Sequence, residues 1–277
     1  MTRRNPLLCS TGAFVSRLNG RDYTLIPRIA PQLAADGLEF MMYDSWYDCA
    51  DEITAALGGF SVPVMHVDKQ IGEAISRGAA GDESAAFAAF RRNCRMAQSL
   101  GARLLVLHLW NGLPSDHVFS RNLAAFGELW RMAKDAGLLL TVENVVCAAA
   151  DPLARLAELR ERYPDVRFTY DTKMAAFHRQ QDAWDTPEGA WLWNEHRIAH
   201  VHLNDYAGGY RDWEHLRVPS PGAGWVDLPH ACAVLAAHGY TGAITTEAPA
   251  VSADGTVDVA RLNDNLCALR QMLDKAF

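Results

Sequence analysis

Asn122-Leu-Ala-Ala-Phe-Gly-Glu-Leu-Trp-Arg-Met-Ala-Lys-Asp-Ala-Gly137-Leu-Leu-Leu-Thr-Val-Glu143-Asn-Val145 is the stretch that decides the fold. From Asn122 to Ala136 the apolar residues recur at helical spacing, whereas Leu138–Val145 is a short apolar run of strand length. Gly137 separates them, and glycine stops a helix because it takes the left-handed position after the last turn without a Cβ clash. The strand then ends on an acid, Glu143. A strand buried on both faces should be apolar throughout, so that acid asks for a reason.

Working outward, the same unit recurs along the chain. Apolar runs predict strands at Leu7–Phe14, Leu38–Tyr43, Val62–Val67, Leu104–Trp110, Leu138–Val145, Val166–Asp171, Ile198–Leu203 and Ala243–Glu247. Helical spacing predicts helices at Leu25–Ala35, Ser84–Leu100, Asn122–Ala136, Pro152–Arg162, Leu228–His238 and Val259–Leu273. Gly37, Gly101, Gly137 and Gly239 read as helix stops. Eight strands over 277 residues give about 35 residues per unit, which fits a βα repeat closed as a (β/α)8 TIM barrel. An open doubly wound sheet would carry a Gly-rich turn after its first strand, and Ser10-Thr11-Gly12-Ala13-Phe14 is not one. The length alone would suit two domains of ordinary size. The uninterrupted repeat instead predicts one domain over residues 1–277, with Pro219–Gly224 as a rigid loop after the seventh strand.

Composition narrows the partners. Apolar residues at 49% and charged residues at 21% exclude a disordered chain. With 26 basic against 33 acidic residues the net charge is −7, and basic residues cluster no further than pairs such as Arg3-Arg4 and Arg91-Arg92. Neither nucleic acid nor an anionic membrane is expected of such a chain, and a small molecule is. Leu7-Leu8 is too short an apolar run for a signal peptide, and no run is long enough to span a membrane. Six scattered cysteines without a C-x-x-C pair read as free thiols, which points to the cytoplasm.

The chemistry sits at the strand ends. Six of the eight predicted strands carry a residue able to bind metal or protons at their C-terminal side: His66, His108, Glu143, Asp171, His202 and Glu247. In a closed barrel those ends meet at one mouth. Glu143, Asp171, His202 and Glu247 come from four consecutive strands, and three carboxylates with one imidazole suit Mn²⁺ or Mg²⁺, with Zn²⁺ or Co²⁺ as alternatives. Without a cation the three carboxylates would repel one another. Two residues below each ligand stand Thr141, Thr169, His200 and Thr245, a polar layer that reads as donors to the ligands. His66, His108 and Trp110 are candidates for substrate hydroxyls or a sugar face, and Lys173 and Arg217 for a phosphate or carboxylate. Trp184, Trp191, Trp193, Trp213 and Trp225, near the seventh strand, read as a lid or an interface, and a homo-oligomer is open.

The run Ile198-Ala199-His200-Val201-His202-Leu203-Asn204-Asp205 resembles the xylose isomerase-like barrel superfamily, in particular its sugar phosphate isomerase/epimerase group. Pro221-Gly222-Ala223-Gly224, Thr246-Glu247, Val142-Glu143-Asn144 and Tyr170-Asp171-Thr172 extend the resemblance over the whole chain. It implies one divalent metal on Glu143, Asp171, His202 and Glu247. Many members have a His where this chain has Met174, and a Lys where it has Asn204. Trinuclear zinc endonucleases of the same superfamily need more ligands than this chain offers and act on a polyanion.

These readings converge on a metal-dependent isomerase or epimerase of a sugar, sugar phosphate or related hydroxy-ketone. Its intermediate would be a metal-stabilised enediolate, with Glu143 and Glu247 moving the proton on opposite faces of the α-carbon. Departure of a β-hydroxyl from the same intermediate would instead make a dehydratase of a cyclic polyol or keto acid. A non-catalytic barrel subunit of a larger complex is the third reading.

Overall fold

The computed structural model describes residues 5–277, so Arg3 and Arg4 lie outside the described residues. Eight parallel strands close into a barrel in chain order: β1 (Leu7–Ser10), β2 (Gly37–Met41), β3 (Val64–His66), β4 (Leu104–Leu107), β5 (Leu139–Glu143), β6 (Arg167–Asp171), β7 (Ile198–His202) and β8 (Ile244–Thr246). Helices alternate with them, as the (β/α)8 expectation requires. Among the described residues no helix is long and apolar enough to cross a membrane.

Every strand is shorter than its apolar run. After β1 the chain turns into a 3-10 helix at Thr11–Ala13, capped by Ser10, whose hydroxyl accepts the Gly12 amide at 3.2 Å. The apolar residues beyond the strand ends are still buried, but in turns, so hydrophobicity overstates strand length there. The helices Ala50–Leu57 and Gln70–Arg77 carry no long apolar stripe and escape a periodicity reading. Gly101, Gly137 and Gly239 take φ of 76°, 71° and 63°, as helix stops do. Gly37 does not act as one: the helix Leu25–Ile29 and the 3-10 turn Ala30–Gln32 end earlier, and Gly37 opens β2.

The chain forms two compact units. The first runs to Glu39 and resumes at Tyr170. In it β1 pairs with β2 and β8, setting Ser10 opposite Glu39 and Leu8 opposite Thr245, and β7 sets His202 opposite Thr245. Its last helix, Val259–Ala276, starts on the Asp258 cap and buries Leu262, Leu266, Leu269 and Leu273, one stripe at helical spacing. Each buried leucine stabilises by about 1.5–3 kcal/mol. The second unit, Phe40–Thr169, carries the ladders β3–β4–β5–β6, with His66 opposite Val106, Val106 opposite Thr141 and Glu143 opposite Thr169. Its helix Phe119–Asp135 buries Phe126, Leu129, Met132 and Ala133.

Candidate active site

In the first unit three of the proposed ligands meet. Asp171 ends β6 and caps the following helix, its Oδ1 accepting the Met174 amide at 3.0 Å. His202 ends β7, and Glu247 follows β8. His202 Nδ1 lies 3.8 Å from Asp171 Oδ2 and 3.7 Å from Glu247 Oε2. These separations are too long for hydrogen bonds and suit atoms arranged around one small cation. Asn204 is bonded to both carboxylates: its amide nitrogen donates to Asp171 Oδ2 at 3.0 Å and Glu247 Oε2 at 3.1 Å, and its oxygen accepts the Glu247 amide at 2.9 Å. Thr172 locks Asn204 in turn, accepting its backbone N–H at 2.9 Å and donating to its carbonyl at 2.6 Å.

The other edge of the His202 ring meets a residue that the sequence reading missed. Glu39, in the middle of β2 and fully buried, holds its two carboxylate oxygens 3.0 and 3.1 Å from His202 Nε2, and one of them 2.8 Å from His200 Nε2. Burial alone would raise the Glu39 carboxyl, but the electrostatic pull of the adjoining His202 ring and the hydrogen bonds from both histidines hold it well below the usual carboxylate range. The signal was present: Glu39 is the one charge inside Leu38-Glu39-Phe40-Met41-Met42, and a charge in a doubly buried strand needs a partner.

The second unit gathers the other three strand-end residues. His108 Nε2 is 2.7 Å from Glu143 Oε2, and His66 Nε2 is 3.3 Å from the same oxygen. The two rings cross edge to face at 4.7 Å. His66 Nδ1 faces the Val67 carbonyl at 2.9 Å and therefore carries a proton. Burial pushes His108 down to about 4, against the pull of Glu143, and its Nδ1 faces Asn111 Oδ1 at 3.2 Å. Two imidazoles and a carboxylate are also a donor set for a transition metal, as are Glu39, His200 and His202, although the latter group closes by direct hydrogen bonds.

The polar layer differs from its expected role. Thr141 donates to the Leu105 carbonyl at 2.9 Å and shares a 2.7 Å hydrogen bond with Thr169, while Thr245 bonds His200 Nε2 at 3.1 Å. None of the three hydroxyls reaches a ligand carboxylate, because two residues along a strand is about 6.6 Å.

Residues 27–271 match the model of the xylose isomerase-like TIM barrel. The chain belongs to that family. Its fold is similar to D-psicose 3-epimerase from Clostridium cellulolyticum H10, solved with D-tagatose, at 13% identity and a TM-score of 0.68, with 98% of each chain covered. It is also similar to 3-keto-D-glucoside 4-epimerase YcjR from E. coli, at 18% identity and a TM-score of 0.65, covering 97% of this chain and 100% of that one. A xylose isomerase domain protein from Alicyclobacillus acidocaldarius gives 16% identity and a TM-score of 0.69, over 98% and 99%. At these identities the likeness is one of fold. No curated protein matches the sequence.

In this xylose isomerase-like barrel the remaining candidates fall apart. Trp110 does not offer a face to substrate. Its indole is fully buried, lies edge to face with Phe119 at 5.4 Å, and donates to the Val145 and Val146 carbonyls at 3.2 and 3.3 Å. Lys173 is buried, within the helix Thr172–Phe177, whereas Arg217 is exposed on the loop after β7. That loop is the expected rigid one: Asp205 ties it through the amides of Gly222, Gly224 and Val226 at 2.9, 2.8 and 3.1 Å. The tryptophans divide too, Trp184 and Trp193 being buried and Trp213 and Trp225 exposed.

Proposed function

We propose that this chain is a divalent-metal-dependent isomerase or epimerase acting on a sugar or sugar-like hydroxy-ketone. The observation that carries the reading is the convergence of Asp171, His202 and Glu247, with an imidazole nitrogen aimed between two carboxylates that Asn204 steadies. The donor set fits a hard divalent cation such as Mn²⁺ or Mg²⁺. Glu143 is the proposed fourth ligand. It ends β5, it sits opposite Thr169 in β6, and Asp171 lies two residues further along that same strand, hence on the same face. The names of the structural relatives, D-psicose 3-epimerase and 3-keto-D-glucoside 4-epimerase, agree with this reading.

A bound cation would supply a Lewis acid for the carbonyl oxygen, making the neighbouring C–H more acidic. Asp171 and His202 serve to hold and orient. Glu143 and Glu247 are the proton carriers: one takes the proton from the carbon next to the carbonyl, and the other returns one to the opposite face, which inverts the centre. His108 Nε2 lies 2.7 Å from Glu143 Oε2 and flanks that carboxylate. His66 and His108, both buried at strand ends, are the proposed partners of substrate hydroxyls. The whole chain is proposed to work as one domain on a small molecule, in a reducing compartment such as the cytoplasm, which suits its six free cysteines.

The test is solvent-deuterium exchange with D-psicose and Mn²⁺, read by proton NMR. The protein should wash deuterium into the position next to the ketone, and Glu143→Gln and Glu247→Gln should each abolish it. Exchange that persists in both variants would remove these residues from proton transfer.

A further inference from the structure

Glu39 is a carboxylate without exposed surface, in a strand that is otherwise apolar. Burying such a charge costs several kcal/mol unless it is paired, so the fold keeps it for a reason. Both of its neighbours are imidazole Nε2 atoms, at 2.8 Å in His200 and at 3.0 and 3.1 Å in His202. A carboxylate only accepts, so His202 Nε2 must carry its proton to face both oxygens. In the neutral ring the lone pair is then on Nδ1, the edge that faces Asp171 and Glu247 at 3.8 and 3.7 Å. Thr245 and His200 continue the chain of contacts behind Glu39, at 3.1 Å between them, so its carboxylate is itself held in place.

We propose that Glu39 is a positioning residue which fixes the tautomer and orientation of His202, so that Nδ1 is presented to the cation. The proposal rests on the reading of Asp171, His202 and Glu247 as a cation site. Glu39 touches neither cation nor substrate. Its effect is to hold the imidazole plane, to keep the proton off the ligating edge and to make Nδ1 a stronger donor. Partners of this kind behind a ligand histidine typically change metal affinity 10–100-fold.

Two measurements test it on the full chain. The first is the ¹⁵N side-chain spectrum of metal-free protein at a pH where His202 is neutral, assigned with His202→Gln. The proposal expects the proton on Nε2 in the wild type, and a shift toward the other tautomer in Glu39→Gln. A wild-type ring protonated on Nδ1 overturns it, and that reading needs no variant to fold. The second is Mn²⁺ titration by calorimetry, in which Glu39→Gln, nearly isosteric, should bind 10–100-fold more weakly. Affinity within twofold of wild type overturns the proposal. If the wild type binds no Mn²⁺, the cation reading falls, while an unchanged His202 tautomer in Glu39→Gln would sink the role of Glu39 on its own.

Discussion

Asn204→Ala is the substitution whose consequence follows most directly from the distances. It deletes the donor to Asp171 Oδ2 and Glu247 Oε2 and leaves the Glu247 amide without its acceptor. Hydrogen bonds to charged groups are worth about 1.5–3 kcal/mol each, and an orphaned buried N–H costs about 1–3. The full sum is not reached, because Asp171 keeps the Met174 amide and the Glu247 side chain is 12% exposed, so water replaces part of the loss. The expected destabilisation of metal-free protein is about 2–4 kcal/mol. For a chain of this size that is a fall of roughly 5–15 °C in melting temperature. The deficit should shrink when a cation takes over the neutralising role of the amide. Urea unfolding with and without saturating Mn²⁺ should therefore show a larger Mn²⁺ stabilisation in the variant than in the wild type. A wild-type midpoint in Asn204→Ala, or an equal gain from Mn²⁺ in both proteins, would refute the reasoning.

Three further outcomes are expected. Trp110→Phe should cost about 0.5–1.5 kcal/mol of stability by removing the indole donor from the Val145 and Val146 carbonyls, which keep the Cys147 thiol and the Ser115 hydroxyl, with KM for any sugar substrate unchanged; a raised KM would return Trp110 to the substrate site. Asp116 accepts three consecutive amides, Ala148 to Ala150, and the Arg155 guanidinium. Burial opposes ionisation there, but these donors bring its carboxyl down to about 2. The folded value lies below the unfolded one, so this stability is present above about pH 4 and is lost as pH falls toward 2; Asp116→Asn should flatten that limb of the unfolding curve. Gly72→Ala would drive a Cβ into the His108 carbonyl oxygen, backbone against backbone, and soluble expression with an unshifted melting temperature would contradict that packing.

The fold was legible in the sequence because its signal repeats. Each strand core is a buried apolar run, and Gly101, Gly137 and Gly239 mark helix ends by a backbone need that few other residues meet. Strand limits were less legible. Leu109 and Trp110 are as buried as Leu105 in β4, and burial alone does not say whether a backbone is extended. Asp171, His202 and Glu247 stood out because an ionisable residue that ends an apolar strand adds nothing to apolar packing and must be held by a polar partner. Glu39 did not, since a search of strand ends passes over a mid-strand charge. Its partners, His200 and His202, lie 161 and 163 residues away, and only closure of β2 onto β1 and β7 onto β8 brings that contact about. Asn204 escaped for a related reason, because an amide that joins two carboxylates has no spacing of its own.

Calorimetric titration of metal-free protein with Mn²⁺ tests the central claim most directly. One cation should bind per chain, and Asp171→Asn and His202→Gln should each abolish that binding while leaving the protein folded. A wild type that binds no Mn²⁺, or variants that bind it as the wild type does, would contradict the account.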